Sequence, residues 1–326
     1  MAEQEPEQLM FKDADLKRRQ HYVWKHYLQA WTDGGTLWCS MGGEPFPASP
    51  NNIAVGRDFY KLKQMSERDY EIVALLISRF SDPGLVNVAT GWLQLFRSIF
   101  NVQKLYSLRS KEDESIERTI EAAIQNLEEE IHSRIEVDSA HILAELRLGD
   151  VTLFRDPARF DQFALFIAFQ YLRTPGILDR LVNGLTTADR LSLNVGASAG
   201  VLRVIFSTSL AFGLAKHGGV MRAALLEAPS GTAFITSDQP AINLRATKSG
   251  PPPTALNLFY PLSPQRSVLL EFNHPEPSVL TRALTVAEVS FYNEAMAATA
   301  HRQLYASNKD LLVTLAGKSP DVPKSE

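Results

Sequence analysis

One stretch limits the fold more than any other. From Asp161 the chain reads Asp-Gln-Phe-Ala-Leu-Phe-Ile-Ala-Phe-Gln-Tyr-Leu, part of a helix from Phe160 to Leu172 that is apolar nearly all round. Such a helix must be enclosed on most of its sides. Its ends are legible. Asp156 supplies an N-cap and Pro157 the first helical position. Arg173-Thr174-Pro175 stops it, because proline disfavours helix in the residue before it. A chain of 326 residues is long enough to build that enclosure, as one large domain or two smaller ones.

Other helices surround this one in sequence. Val23, Tyr27 and Trp31 recur at helical spacing, with Trp24 and Leu28 in support, until Asp33-Gly34-Gly35 turns the chain. Ser66 caps a helix carrying Ile72, Leu75, Leu76 and Phe80, and another runs from Val86 to Leu108 after Asp82-Pro83. Ile116, Ile120, Ile124, Leu127, Ile131 and Ile135 form one apolar stripe, which assigns Glu128-Glu129-Glu130 to a solvated face. Val195 to Ala215 has the length of a bilayer span. Arg203 near its middle and its glycines and serines favour a buried helix of small residues, so no membrane span is expected.

Strand composition lies at the two ends. Thr36 to Cys39 is expected to pair near Phe46 across Gly42-Gly43. In the last third, Ala224–Glu227, Ala233–Thr236, Leu256–Tyr260 and Ser267–Phe272 are short β-type runs, followed by a helix over 286–303 and a final strand at Leu304-Tyr305-Ala306. The expected class is therefore α+β, a predominantly helical middle with short antiparallel strands from the N- and C-terminal parts sharing a sheet. A single domain is expected over 17–308, with a flexible start over 1–16 and a flexible tail over 317–326.

Composition excludes several classes. Hydrophobic residues make up 45% and charged residues 21%, which is not the composition of a disordered chain. A net charge of -4 excludes a globally basic nucleic-acid binder but leaves room for a local basic patch. Cys39 is the one cysteine, so no disulfide scaffold is possible. The acidic start Met1-Ala-Glu-Gln-Glu-Pro-Glu is no signal peptide, and a cytoplasmic location is expected.

Several segments carry a resemblance when taken in order. They are Gln20-His21-Tyr22-Val23 with Tyr27-Leu28, Trp31 and Leu37-Trp38, then Asp58-Phe59-Tyr60, then Ile167-Ala168-Phe169-Gln170 with Arg173-Thr174-Pro175. Phe234-Ile235-Thr236-Ser237-Asp238-Gln239-Pro240, Tyr260-Pro261-Leu262-Ser263-Pro264, Asn293 and Arg302 to Tyr305 follow. Over about residues 18 to 306 the chain resembles the uncharacterised domain-of-unknown-function 4238 family of mostly bacterial proteins. Trp24 stands where that family usually has proline. The resemblance implies a single full-length fold unit and no established activity.

Three residues compose the candidate catalytic set. Asp238 ends a strand, where a carboxylate is held rigidly, and an Asp bonded to the His21 ring would fix its tautomer and raise its pKa for acid–base work. The alternative is structural, with Asp238 a turn former and His21 a cap. Arg173 would clamp an anion, with Gln170 one turn before it on the same face; its alternative is a salt bridge or cap. Lys17, Arg18, Arg19 and Tyr22 open a segment through Tyr27 that interleaves basic and aromatic residues. That segment suits either phosphate tracking with base stacking or core packing of its aromatics.

The reaction read from this set is hydrolysis of a phosphate- or carboxylate-bearing substrate, with phosphoesters or nucleic acid its concrete form. The alternative is a non-catalytic module that binds nucleic acid or a protein partner. No histidine pair has a metal-binding spacing, and no cofactor can be named. P-loop and dinucleotide motifs are absent. Gly196-Ala-Ser-Ala-Gly200 has the letters of a nucleophile elbow around Ser198 but no strand before it.

Overall fold

The computed structural model describes residues 15–109, 113–177, 193–218, 221–246, 255–272 and 274–315. The expected flexible tail and all but the last two residues of the expected flexible start lie outside them. The enclosed helix is α5 (Pro157–Leu172), with the Asp156 carboxylate accepting from the Ala158 and Arg159 amides at 3.0 and 3.3 Å. It packs along α6 (Val195–Lys216). Three more helices complete the middle of the chain: α2 (Glu67–Ser78), α3 (Pro83–Ser107) and α4 (Glu114–Leu148). Among the described residues, α6 is the one helix long and apolar enough to cross a membrane. Within the fold it is a packing partner of α5 and α3.

A five-stranded sheet lies beyond α5. It has the order β10 (Ser278–Ala283), β5 (Met221–Glu227), β9 (Arg266–Phe272), β8 (Asn257–Pro261), β7 (Ile242–Asn243). All neighbours run antiparallel except β10 and β5, which are parallel. Both faces are covered. Ala223, Leu225, Val268 and Leu270 turn toward α5 and α6, while Ala224, Leu226, Leu269 and Phe259 turn toward α7 (Val286–Thr299) and α8 (Lys309–Leu315). That explains why these strands read as unbroken apolar runs without polar alternation.

A second sheet joins the two ends of the chain, in the order β3 (Phe46–Ala48), β2 (Leu37–Ser40), β11 (Leu304–Ala306), β6 (Thr236–Ser237). All its pairs are antiparallel, and Cys39 faces Phe46 on one side and Tyr305 on the other. The expected shared sheet is therefore present. Of the expected strand over 233–236 only Thr236 pairs, in a two-residue β6 that runs on to Ser237. The expected N-terminal helix is shorter than its spacing implied: α1 is only Lys25–Leu28, continued by a 3₁₀ turn over Gln29–Trp31. Before it, β1 (Arg19–His21) pairs with β4 (Val55–Arg57). The aromatics of α1 pack inward. Tyr27 hydroxyl meets Thr236 Oγ1 at 2.7 Å, its ring stacks on Tyr260, and Trp31 Nε1 donates to the Phe234 carbonyl at 2.9 Å.

The turn between α7 and β11 is held by one side chain. Asp238, at the end of β6, accepts from the backbone amides of His301, Arg302 and Gln303 at 2.9, 2.7 and 3.0 Å. Gln303 in turn accepts from the Ala54 amide at 3.2 Å, which ties the turn to the residue before β4. Removing the carboxylate strips the acceptor from three amides at once, and each buried unpaired group costs about 1–3 kcal/mol. Asp238→Ala is expected to lower stability by roughly 3 kcal/mol or more, and Asp238→Asn, which keeps one acceptor oxygen, by less. Urea midpoints at fixed pH compare the two.

Candidate functional site

The densest set of buried polar groups lies on the inner face of α4. The isoleucine stripe is buried at Ile120 and Ile124, but Ile116 is exposed and Ile131 and Ile135 are only half-buried. Further along the helix the interior position passes to polar residues: Gln125, Glu128, His132, Glu136 and Ser139 are all buried. This corrects the assignment of Glu128 to a solvated face. The interior here holds charge because two arginines meet it from other helices.

Arg203 of α6 donates to Glu128 in a two-point pair, Nε to Oε1 at 2.5 Å and Nη2 to Oε2 at 2.9 Å. Arg173, at the C-terminal end of α5, is engaged on every nitrogen. Nη1 donates to Glu136, Nε to the Tyr60 hydroxyl at 2.9 Å, and Nη2 to the His21 main-chain oxygen at 2.6 Å. Gln170 Nε2 adds a bond to the same Glu136 oxygen at 3.4 Å. Tyr60 sits among them. Its ring lies against the His132 ring at 4.7 Å between centroids, with the Arg173 and Arg203 guanidinium carbons at 5.7 and 5.4 Å. Gly200 is required beside the Arg203 pair, since a Cβ there would stand 2.7 Å from Glu128 Oε2.

Charge counting singles out one residue. Two guanidiniums, Arg173 and Arg203, face three carboxyls, Glu128, Glu129 and Glu136, and the first two pair with Glu136 and Glu128. Burial pushes the Glu128 carboxyl up, but Arg203 and His132 together outweigh it and the net direction is down. Burial likewise opposes the Arg173 charge, and Glu136, Tyr60 and Glu129 together more than restore it. Glu129 is left without a cation of its own. Its Oε2 is buried with no hydrogen-bond partner, and burial pushes its pKa up to about 7, with Arg173 opposing and Glu136 adding to the rise. His132 is pushed down to about 4, first by burial and then by Arg173. Its ring nitrogens have no hydrogen-bond partner, and Nε2 stands 3.7 Å from Glu128. At neutral pH the histidine is therefore uncharged and Glu129 exchanges a proton.

The residues singled out from sequence divide between two places. His21 and Arg173 meet, though through the His21 main-chain oxygen. The ring nitrogen Nε2 of His21 lies 3.3 Å from the Pro50 carbonyl, and burial lowers its pKa. The Asp238 oxygens are taken by the three amides of the α7–β11 turn, and burial raises its pKa against those bonds. Among the described residues no hydrogen bond joins Asp238 to His21 or Arg173. The hydroxyls of Tyr22, which follows His21, and of Tyr305 are pushed up by burial and then by Asp238. Gln170 is fully buried beside Glu136.

The basic entrance is paired within the fold. Lys17 reaches Glu130 at 3.9 Å, Arg18 reaches Glu121 at 4.0 Å, and Arg19 donates to the Asn51 carbonyl at 3.0 Å. Ser198 is fully buried inside helix α6, away from any strand–turn–helix elbow. Burial and the Asp238 charge push the Cys39 thiol up to about 12. Among the described residues no three His, Cys, Asp or Glu side chains are placed to hold a metal ion.

Comparison with known families adds one finding. The family described as "Protein of unknown function (DUF4238)" matches residues 19–194 and 205–310. The chain belongs to this family. No curated protein and no solved structure matches it. In this DUF4238 protein the matched segments take in Tyr60, all of α4, α5, Arg173 and Asp238, and they break across the first half of α6, where Arg203 stands.

The two shifted groups oppose each other in their effect on stability. Between about pH 4 and the unfolded histidine value near 6.5, the unfolded chain holds a proton on His132 that the folded chain lacks, so this group makes stability rise with pH. Between about 4.5 and 7 the folded chain holds a proton on Glu129 that the unfolded chain lacks, so this group makes stability fall with pH. The two slopes offset each other between about 4.5 and 6.5. Relative to the parent, Glu129→Gln is expected to gain stability as pH rises through this window, and His132→Gln to lose it. Urea unfolding of all three proteins at several pH values reads the difference, and parallel pH dependences would refute it.

Proposed function

We propose that this DUF4238 protein is an enzyme in which Glu129 works as a general base on a phosphate- or carboxylate-bearing substrate, phosphoester hydrolysis being the concrete form. The observation that carries the proposal is the third carboxyl of the polar cluster. It is a partly open group with a buried, unpartnered oxygen, poised near pH 7 beside fixed positive charge. Its proton affinity suits removal of a proton from an attacking water. Lys17, whose charge Glu129 feels, stands half-exposed and would exchange its 3.9 Å contact with Glu130 for the substrate anion. Arg173 acts here as a positioning residue, since its three donor directions are already taken. The expected cytoplasmic location belongs to the same proposal.

This reading moves the acid–base role from His21 to Glu129 and leaves Asp238 with its backbone amides. The alternative, a module that grips nucleic acid through Lys17, Arg18 and Arg19, must overcome the acidic and carbonyl partners those side chains already have. The test is turnover of aryl phosphomonoesters and phosphodiesters and of short single-stranded oligonucleotides by the full chain. The rate is expected to rise through about pH 7, and Glu129→Gln to lower kcat by roughly 100-fold or more, the usual worth of a positioned base. Equal rates for parent and variant, or no turnover across the panel, would overturn the proposal. Salt-sensitive oligonucleotide binding without turnover would favour the binding module.

A further inference from the structure

The outer face of α3 has a pattern that nothing among the described residues explains. Val88, Gly91, Leu95, Ser98, Val102 and Leu105 follow one another at spacings of 3, 4, 3, 4 and 3, the seam of a coiled coil. Val88, Leu95, Val102 and Leu105 are 46, 40, 52 and 66% exposed. The seam is flanked on one side by Asn87, Gln94 and Asn101, each a heptad apart and each an exposed amide. The one arginine and one lysine of this helix, Arg97 and Lys104, lie off the seam, and Arg97 pairs back to Glu67 of α2. A solvated helix face normally carries charge; this one carries none along about 26 Å of helix.

Gly91 adds an independent observation. It stands in mid-helix, where glycine costs about 1 kcal/mol against alanine, and nothing lies within 4 Å of the place its Cβ would occupy. Among the described residues there is therefore no steric reason for glycine. Close approach of another helix does.

We propose that α3 is the interface of a homodimer, packed antiparallel against α3 of a second copy. The occupant follows from sizes along the seam. In an antiparallel pair centred between Phe96 and Arg97, the seam layers place Val88 opposite Leu105, Gly91 opposite Val102, and Leu95 opposite Ser98. Every small residue meets a large one, and the surface is complementary to itself about a two-fold axis, as an isologous contact requires. A parallel pair would set Gly91 against Gly91 and Ser98 against Ser98, leaving voids beside a Leu95–Leu95 layer. Antiparallel packing also opposes the two helix dipoles, each N-terminus lying toward the other's C-terminus.

Sedimentation of the full chain between about 1 and 100 μM tests this, since that range spans ordinary dimer affinities. The expected result is twice the monomer mass at the upper end. The double variant V88E/L95E, and separately S98R, are expected to weaken the dimer at least about 10-fold. Both change exposed or seam positions only, so far-UV circular dichroism is expected to match the parent. Orientation is read with a short bismaleimide, to which the buried Cys39 thiol is unreactive. G91C mixed with V102C is expected to cross-link, and neither variant alone. A monomer throughout, a dimer indifferent to both charge variants, or cross-linking of G91C to itself would each overturn the proposal.

Discussion

A guanidinium buried at the end of an apolar helix must be answered on every side, and the arrangement of this protein follows from how Arg173 is answered. Its three donor directions take a carboxylate from α4, a phenol from the segment after β4, and a main-chain oxygen from β1. Those partners lie 37, 113 and 152 residues away in sequence. Losing Glu136 would leave a buried charge uncompensated, a defect of several kcal/mol. The N-terminal strand, the long helix and the central helix are thus fixed to one another by a single side chain. Gln20 repeats the logic beside it, donating to the Gln125 carbonyl of α4 at 3.0 Å and accepting from the Tyr60 amide at 2.6 Å.

The parts of the fold that local chemistry controls were legible in the chain. Asp156-Pro157 and Pro175 bracket α5, Asp82-Pro83 opens α3, and Leu304 to Ala306 is a strand as its composition implies. Local signals failed where a distant partner decides the outcome. Ala233 to Ile235 has strand composition, yet the Ile235 amide and the Ala233 carbonyl bond to the Asn293 side chain, so the ladder begins only at Thr236. Strand β10 carries Thr281 and Arg282 on an edge beside β5 and lacks an apolar run to announce it.

The polar cluster was hidden for a related reason. On α4 the isoleucines offered a regular stripe, and glutamates beside it resembled an ordinary wet face. The competing signal was present: Gln125, Glu128, His132, Glu136 and Ser139 recur at spacings of 3, 4, 4 and 3. Choosing between the two stripes needs knowledge that Arg173 and Arg203 arrive from other helices to neutralise one of them. Replacing such a cluster with well-fitted apolar residues is often harmless to stability elsewhere; here its pairs join α4 to α5 and α6.

The pairing of β11 between β2 and β6 has a consequence for how the chain comes to be folded. β2 and β6 have no ladder with each other; they are joined only through residues 304–306. During synthesis the N-terminal strands and the helical middle therefore leave the ribosome long before the strand that completes their sheet. Until residues 301–306 emerge, β2 has one free edge and the Asp238 carboxylate lacks its three amides. Contacts this far apart in sequence close slowly, and an open strand edge is prone to wrong pairing in the interval. The sheet that joins the two ends of the chain is thus closed only when residues 304–306 take their place between β2 and β6.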